Sequence, residues 1–202
     1  MRVIQFNKEF DLDKIVNFLS TASQEDDPAS KNMEVENWRE KKHTLLFSLL
    51  EENRFSYDRS EYFFLENEDE EYISGAGIYP ADFDSNVAIL QVRAYTLKEH
   101  RGSLVHGNYI IPAQIEFAKL HNYKTLLFTF NEYNLPLMKG VERISSSNGK
   151  LLGNKVPEAF KGWKSLGYPV NIKYTKQWCL YKHLEEDYHE QFVRTMADIR
   201  TN

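Results

Sequence analysis

The sequence predicts an α/β fold of the α+β type with a mixed sheet, and two patterns of residues support that prediction. Three runs rich in β-branched and aromatic residues lie between Tyr62 and Thr96, separated by an acidic turn and by a loop, which predicts an antiparallel meander. The next segment, 105–121, repeats apolar residues at helical spacing, and 124–130 is an almost continuous apolar run. A strand, helix, strand crossover of this kind joins parallel strands, so the sheet should be mixed.

The segment before the meander predicts one strand and two helices. Residues 2–6 alternate like a short strand, and apolar residues then recur at helical spacing behind Asp11, a residue type that often caps helices. A polar stretch leads to 35–53, where Trp38 and several leucines form the apolar stripe of a second helix.

The last third of the chain predicts two helices followed by a hairpin. The segment 135–144 has a helical pattern, and 157–168 predicts another helix that stops at Gly167. The segments 168–174 and 177–184 then predict a C-terminal hairpin.

The length of the chain predicts one domain. At 202 residues, a chain buries roughly 70% of the surface that its unfolded form exposes. We therefore expect a single domain over 1–202, with an insertion at about 142–160. An amphipathic segment at about 186–200 predicts an appended C-terminal helix.

The charge balance and the apolar pattern exclude several classes of partner. The chain has 25 Lys and Arg against 30 Asp and Glu, a net charge of −5, so we expect no nucleic-acid partner. No apolar run approaches the roughly 20 residues that span a bilayer, and the N-terminus lacks the apolar centre of a signal peptide. We therefore expect no membrane association and a cytoplasmic protein.

The sequence also argues against a metal site. Cys179 is the only cysteine, which excludes an intrachain disulfide and a cysteine-rich zinc site. His100, His106 and His121 are separated by 6 and 15 residues, which fits no common ligand spacing. The acidic run at 66–71 predicts a solvated hairpin tip rather than a cation site. We expect no metal.

The segment from Val87 to Asn134 resembles the signature half of the GCN5-related N-acetyltransferase (GNAT) superfamily. The stretch YTLKEHRG, with HRG at 100–102, is similar to the segment before the family's phosphate loop, and FNEYN ending at Asn134 is similar to the exit of its next strand. SLGY at 165–168 resembles the end of its last crossover helix. The resemblance implies a GNAT-like fold over most of the chain.

The resemblance implies acetyl-CoA as a co-substrate. In the family, backbone N–H groups of the loop and of the following helix N-terminus hold the CoA pyrophosphate, where unpaired donors and the helix dipole favour negative charge. The pantetheine arm lies between two splayed strands, and a main-chain N–H at the end of the first polarises the thioester carbonyl. By position, the implied cofactor-binding residues are Tyr95, Thr96, Leu97, Arg101, Gly102, Ser103, Leu104, Val105, His106, Gly107 and Asn134.

The loop departs from the family pattern. Counting from Arg101 places Leu104 and His106 where the family has glycine or another small residue, and Gly107 comes one position late. Glycine at such positions permits a positive φ or a close approach of phosphate. Pro112 removes an N–H from the first turns of the next helix, which predicts a late start or a kink.

No residue occupies the place of the family's general acid, a tyrosine that protonates the departing thiolate. Counting forward from Asn134 reaches Val141, and counting back from Gly167 reaches Trp163, and neither side chain donates a useful proton. The thiolate could also take its proton from water, since a thiol of pKa about 8.5 is a fair leaving group. The alternative donors are Tyr133, Tyr168 and Tyr181.

Candidates for the general base lie at or near predicted strand ends. A carboxylate would need burial to raise its pKa, whereas an imidazole titrates close to neutral pH unaided. The candidate carboxylates are Glu66, Asp82, Asp84 and Glu132, and the candidate imidazole is that of His100. As catalytic residues we single out Glu66, Asp84, His100 and Tyr133.

Three functions stay open from the sequence. The first is an acetyl-CoA-dependent N-acyltransferase, in which a small-molecule or peptide amine attacks the thioester directly. The second is a catalytically inactive GNAT-like binding or regulatory module, suggested by Leu104, His106 and the missing tyrosine. The third is an unrelated α/β binding protein. The oligomeric state is open, with a homodimer as one candidate.

Overall fold

The computed structural model describes residues 1–6, 8–9, 11–26, 59–101, 104–146, 157–172 and 175–201. The chain divides into two compact units, each built from two separate stretches. The first unit comprises Met1–Tyr79 and Val92–Gln114, and the second comprises Pro80–Gln91 and Ile115–Asn202. The chain therefore passes from one unit to the other three times.

Among its described residues, the first unit contains three strands and the end of a fourth. Strand β1 (Arg2–Gln5) pairs antiparallel with β2 (Glu61–Glu66), and β2 pairs antiparallel with β3 (Tyr72–Ala81). Strand β4 (Asp84–Thr96) follows β3 in the strand order, and its last residues, from Val92 onward, belong to this unit. The strands β2, β3 and β4 confirm the three predicted runs of the meander.

Helix α1 (Leu12–Asp26) begins at the predicted cap. The Oδ1 atom of Asp11 accepts a hydrogen bond from the Lys14 backbone N–H at 3.1 Å, and its carbonyl oxygen accepts one from Ile15 N–H at 3.0 Å. The side chain thereby satisfies one of the donors that every helix N-terminus leaves without an intrahelical partner.

Aromatic rings dominate the core of the first unit. Phe64 stacks on Tyr72 with ring centroids 4.8 Å apart, and Phe18 of α1 meets Phe64 edge to face at 6.1 Å. Both geometries are favourable for ring quadrupoles, so these contacts add to the burial of apolar surface. The other buried members of this cluster are Ile4, Phe6, Ile15, Leu19, Ala22 and Tyr62.

Gly75 lies where the sheet leaves no room for a side chain. It pairs with Phe64 across β2 and β3, and a Cβ there would lie 2.9 Å from the Tyr62 ring and 3.1 Å from the Phe63 carbonyl oxygen. We expect Gly75→Ala to lower the free energy of unfolding by about 1–3 kcal/mol, because the added methyl group overpacks a buried strand. Urea denaturation measures this effect.

The matched control for this substitution is Gly140→Ala. Gly140 lies in an exposed part of a helix, and among the described atoms outside that helix backbone none lies within 4 Å of its ideal Cβ. Alanine there should raise the free energy of unfolding by up to about 1 kcal/mol through helix propensity. Equal stability of the two variants would contradict the overpacking explanation.

In the part of the second unit that the structure describes, the first part of β4 is joined by four further strands. Strand β5 (Thr125–Phe130) pairs parallel with β4 and antiparallel with β8 (Thr175–His183). The short strands β6 (Lys164–Ser165) and β7 (Val170–Ile172) both pair antiparallel with β8. The parallel pair β4/β5 confirms the predicted crossover, and β7 with β8 confirms the predicted hairpin.

Three helices accompany the strands that follow β4. Helix α2 (Ile111–Leu120) links the two units along the chain, while α3 (Leu135–Ser146) and α4 (His189–Thr201) belong to the second. Phe192 of α4 is fully buried, with its ring centroid 5.0 Å from that of Tyr181. The helices predicted at 105–121 and 135–144 and at the C-terminus are confirmed. Within the described ranges, no helix is long and apolar enough to cross a membrane.

The helix predicted over 157–168 is wrong. The chain forms a 3₁₀ turn at Glu158–Phe160, Gly162 adopts a φ of 78°, and strand β6 follows. Phe160 and Trp163 are both buried, and their three-residue spacing fits a helix as well as the observed turn. Gly167 does adopt a left-handed φ of 76°, but it follows a strand rather than a helix.

Some predictions fall where the structure describes nothing. The helix predicted at 35–53 lies outside the described residues, as does most of the segment predicted as an insertion. Of that segment, 142–146 forms the end of α3 and Glu158–Phe160 is the turn described above. The single domain over 1–202 and the insertion stay predictions.

Candidate active site

Strand β4 leads directly into the segment predicted to bind the cofactor. After Thr96 the chain forms a 3₁₀ turn at Lys98–His100. The Arg101 side chain then reaches back to the strand, because its Nε–H donates to the Thr96 carbonyl oxygen at 2.9 Å. Gly102 and Ser103 lie outside the described residues. The exit of β4 is thus tied to the start of the loop.

Leu104 adopts a backbone conformation that normally belongs to glycine. Its φ is 58°, in the left-handed region, which costs a residue with a Cβ about 1–2 kcal/mol. Counting from Arg101, this is a position where the GNAT pattern has glycine. The Leu104 carbonyl oxygen accepts from Asn108 N–H at 2.9 Å and closes the turn into the helix. The loss of glycine therefore does not prevent this turn.

The helix after the loop begins with a π-helical turn. This turn covers His106–Ile110, and α2 starts at Ile111, whose N–H donates to the His106 carbonyl oxygen. Of the predicted late start or kink, the late start is wrong, because helical backbone already begins at Val105, before Pro112. The π-helical turn lies where Pro112, which lacks an N–H, cannot bond to the Asn108 carbonyl. The first N–H groups of a helix have no partner within it and carry partial positive charge, which suits an anion at this end.

The His106 imidazole reaches from the loop to two strands. Its Nε2 atom lies 2.8 Å from the Ser74 Oγ atom of β3 and 3.3 Å from the Tyr95 carbonyl oxygen of β4. Ser74 Oγ also donates to the Tyr95 carbonyl oxygen at 3.1 Å and lies 3.0 Å from Thr96 Oγ1. Burial lowers the pKa of His106 to about 4, although the bond to the Tyr95 carbonyl opposes that shift.

The family resemblance predicts that a main-chain N–H at the end of β4 polarises the thioester carbonyl. The hydrogen bonds of β4 identify the Thr96 N–H as that donor. The Leu97 N–H donates to the Ile73 carbonyl oxygen at 3.0 Å, so it is engaged with β3. Backbone groups alternate between the two edges of a strand, and the Tyr95 carbonyl also faces β3 through Ser74. The Thr96 N–H therefore lies on the edge opposite β3.

Glu66, which the sequence predicts as a general base, pairs with two cations. Its side chain is 8% exposed, and its oxygens accept from Arg2 Nε at 3.2 Å and from Lys14 Nζ at 3.3 Å. Its role in the first unit is to pair β1 and α1 with the end of β2.

Asp84 is engaged with a tyrosine and an asparagine. The Tyr188 hydroxyl donates to Asp84 Oδ2, and the Asn86 backbone N–H donates to Asp84 Oδ1 at 2.9 Å. Burial raises the pKa of Tyr188 to about 12, and the bond to Asp84 adds to this shift. This cluster ties the segment before α4 to the start of β4.

The two other catalytic candidates, His100 and Tyr133, each lie in a 3₁₀ turn. His100 ends the 3₁₀ turn, with its Nε2 atom 3.9 Å from Glu99 Oε1. The Tyr133 backbone lies in a 3₁₀ turn, but its side chain is outside the described part of the structure. The Asn134 backbone N–H donates to Asn131 Oδ1 at 3.0 Å, so Asn131 caps the 3₁₀ turn Glu132–Asn134 that precedes α3.

Most of the predicted cofactor-binding residues lie in the first unit. Glu66 and His100 belong to it as well, whereas Asp84, Tyr133 and Asn134 belong to the second. Sequence reasoning missed Ser74, which connects His106 to β4; the available signal was a buried hydroxyl residue in an otherwise apolar run. The predicted cofactor-binding residues described in the first unit are Tyr95, Thr96, Leu97, Arg101, Leu104, Val105, His106 and Gly107.

Comparison with solved structures defines the class of fold, although no protein-family model and no curated protein matches the sequence. In all, 194 chains of solved structures match. A GNAT-family acetyltransferase from Staphylococcus aureus is 10% identical, with a TM-score of 0.53 over 91% of this chain and 99% of that one. The ribosomal-protein-alanine N-acetyltransferase from Brucella melitensis is 14% identical, with a TM-score of 0.53 over 91% and 100%.

A third neighbour is a variant of the spermidine N-acetyltransferase from Vibrio cholerae. It is 12% identical, with a TM-score of 0.55 over 91% of this chain and 95% of that one. These matches cover almost the whole length of both chains. The chain therefore has the fold of the GCN5-related N-acetyltransferases, as the order of its elements predicts.

Proposed function

We propose that the protein is an acetyl-CoA-dependent N-acyltransferase that acts on the amine of a small molecule or peptide. Two of the structures that share its fold are named as acetyltransferases of spermidine and of a ribosomal-protein alanine, and both acceptors are amines. A cytoplasmic location belongs to the same proposal, since a single buried cysteine suits a reducing compartment.

The observation that carries this proposal is the left-handed conformation of Leu104. Strained residues persist where the surrounding structure requires them, and they are concentrated at functional sites. Here the strain turns the chain from the exit of β4 into a helix N-terminus, which is the arrangement that binds pyrophosphate. Acetyl-CoA would bind this end of the first unit through backbone N–H groups at Leu104–Gly107 rather than through side chains.

The proposed reaction follows from amine and thioester chemistry. The amine nitrogen bonds to the acyl carbon, the carbon–sulfur bond breaks, and the CoA thiolate leaves. The amine loses one proton and the thiolate gains one, so an amide and CoA are formed. Negative charge develops on the acyl oxygen, and a fixed backbone donor there stabilises the transition state. We assign this role to the Thr96 N–H.

The electrostatics of the helix N-terminus give a direct test. Asn108 is exposed in the first turn, so substitution there should not disturb the core. We expect Asn108→Asp to weaken binding of CoA about 3- to 10-fold, because a carboxylate repels the pyrophosphate across a few ångströms. Asn108→Lys should leave CoA binding equal or tighter.

Isothermal titration calorimetry with CoA and with pantetheine measures this effect. Pantetheine lacks the phosphates, so its binding should be the same in both variants. Equal loss of CoA and pantetheine binding in Asn108→Asp would count against a phosphate site at this helix. Failure of the wild-type protein to bind CoA or acetyl-CoA at millimolar concentration would overturn the proposed function.

One observation favours the second candidate, a binding module without catalysis. Of the carboxylates proposed as a base, Glu66 is held by two cations and Asp84 by Tyr188 and Asn86. The amine must lose a proton to react, so Asp82, Glu132 or His100, an acceptor that binds already neutral, or water would have to replace them. Acetyl-CoA binding without CoA-thiol release across a panel of polyamines and peptides would establish the module.

A further inference from the structure

We propose that His106 is a positioning residue: with Ser74 it holds the Tyr95 carbonyl and thereby aims the Thr96 N–H at the acyl oxygen. This inference rests on the proposed function, because it concerns the donor that polarises the thioester. It assigns a purpose to an imidazole at a position where the family pattern calls for a small residue.

The positioning role assigns a neutral ring with its hydrogen on Nε2 to His106, and the contacts around Ser74 accommodate that tautomer. In it, the single hydroxyl proton of Ser74 goes to the Tyr95 carbonyl oxygen at 3.1 Å. Ser74 Oγ then accepts from His106 Nε2 at 2.8 Å and from Thr96 Oγ1 at 3.0 Å.

The other ring nitrogen agrees with this assignment. Among the described residues, Nδ1 of His106 is buried and has no hydrogen-bond partner. A hydrogen on Nδ1 would be a buried donor without an acceptor, which costs about 1–3 kcal/mol. The bare Nδ1 is the less costly alternative, and it leaves Nε2–H to bind Ser74 and, at 3.3 Å, the Tyr95 carbonyl.

Because the peptide bond is planar, the hydrogen bonds that hold the Tyr95 carbonyl also orient the Thr96 N–H. The Tyr95 carbonyl and the Thr96 N–H belong to one trans peptide group, so the two bonds point in opposite directions. Ser74 and His106 fix the carbonyl on the β3 side, and the N–H must then point to the opposite edge. Arg101 fixes the next carbonyl, that of Thr96, at 2.9 Å. The orientation of the donor is thus set from both sides.

Hydrogen bonding also strengthens the donor. A carbonyl that accepts hydrogen bonds withdraws electron density from its own amide, so the N–H of that group becomes a better donor. The Tyr95 carbonyl accepts from both Ser74 and His106. Removal of these bonds should therefore both loosen the Thr96 N–H and weaken it as a donor.

The test uses acetyl-CoA labelled with ¹³C at the acyl carbon and infrared difference spectroscopy. In the wild-type protein we expect the carbonyl band of the bound thioester to lie below that of free acetyl-CoA. In His106→Leu, roughly half or more of this shift should be lost, because the Thr96 N–H is no longer held in one direction. In His106→Gln the shift should be largely restored, since the amide nitrogen of Gln can donate to Ser74.

Ser74→Ala provides a second route to the same result. It removes the hydroxyl that binds the Tyr95 carbonyl with the loss of one atom, so the band should shift as in His106→Leu. Acetyl-CoA affinity, measured by calorimetry, should change less than about threefold in all three variants. The reason is that His106 and Ser74 orient the donor of only one hydrogen bond to a large ligand. A purely structural role for His106 would not move the carbonyl band while leaving affinity intact.

The outcomes separate this inference from the proposed function. If wild-type protein does not bind acetyl-CoA, the proposed function and this inference both fail. If it binds, and His106→Leu and Ser74→Ala keep the wild-type carbonyl band, only the positioning role is overturned. Nitrogen-15 chemical shifts of the apo protein provide a check without cofactor: a charged His106 at neutral pH, or a hydrogen on Nδ1, would also overturn it.

Discussion

Replacement of Trp163 by alanine should lower the free energy of unfolding by about 3–5 kcal/mol, the range for a large aromatic side chain removed from a core. Trp163 is 3% exposed and stacks on Phe128 with centroids 4.0 Å apart and an interplanar angle of 14°. Its Nε1–H donates to the Ala159 carbonyl oxygen at 2.8 Å, and its backbone N–H donates to Ser145 Oγ at 2.7 Å. Alanine would leave a cavity and an unpaired Ala159 carbonyl.

Circular dichroism in urea measures the loss, and two variants serve as controls. Trp163→Phe keeps a ring against Phe128 but lacks the indole N–H, so it should lose less than Trp163→Ala. Trp178 of β8 is only partly buried, so Trp178→Ala should have a smaller effect than Trp163→Ala. If both alanine variants lose the same stability, the stacking of Trp163 on Phe128 does not make the larger contribution to stability that its geometry indicates.

Acidification should destabilise the wild-type protein by roughly 2–3 kcal/mol more than a His106→Gln variant between about pH 7.5 and about pH 4.5. Burial lowers the pKa of His106 from an ordinary 6.5 to about 4 in the folded protein. Between these two values the unfolded chain binds a proton that the folded protein does not. The contribution of His106 to stability is therefore complete above about pH 6.5 and is lost as the pH falls toward 4.

Urea denaturation at a series of pH values tests this, with His106→Gln as the reference. The glutamine amide can donate to Ser74 but does not titrate, so the difference between the two curves isolates the imidazole from the carboxylates. Below about pH 4 the difference should level off, because both states of the wild type are then protonated. Parallel curves across the whole range would show that His106 is not buried in neutral form.

Local patterns predicted most of the elements. The meander, the crossover and the C-terminal hairpin follow from periodicity and turn residues, which depend on neighbours in sequence, and Asp11 capped α1 for the same reason. The error at 157–168 has a physical cause. A three-residue apolar spacing satisfies a helix and a buried turn equally, and packing of Trp163 on Phe128 decided for the turn.

The position of the candidate site stays a prediction, and the contacts of its side chains did not follow from the sequence. Counting residues identified Leu104 and His106 as departures from the family pattern, but the sequence contains no information on the φ of one or the burial of the other. The sequence predicts Glu66 as a base, and it gives no sign that Glu66 pairs with Arg2 and Lys14, which lie 64 and 52 residues away in the chain. Contacts of that separation arise only from tertiary packing.

The sequence by itself thus determined most of the order of elements and the GNAT-like fold, and it predicts the segment from Tyr95 to Gly107 as the place for the cofactor. Only the tertiary structure decided that leucine makes the turn of a glycine, that Thr96 carries the outward N–H, and that Ser74 links β3 to His106. The reason is that periodicity and turn chemistry are local, whereas burial, ion pairing and the direction of a peptide group depend on residues distant in the chain.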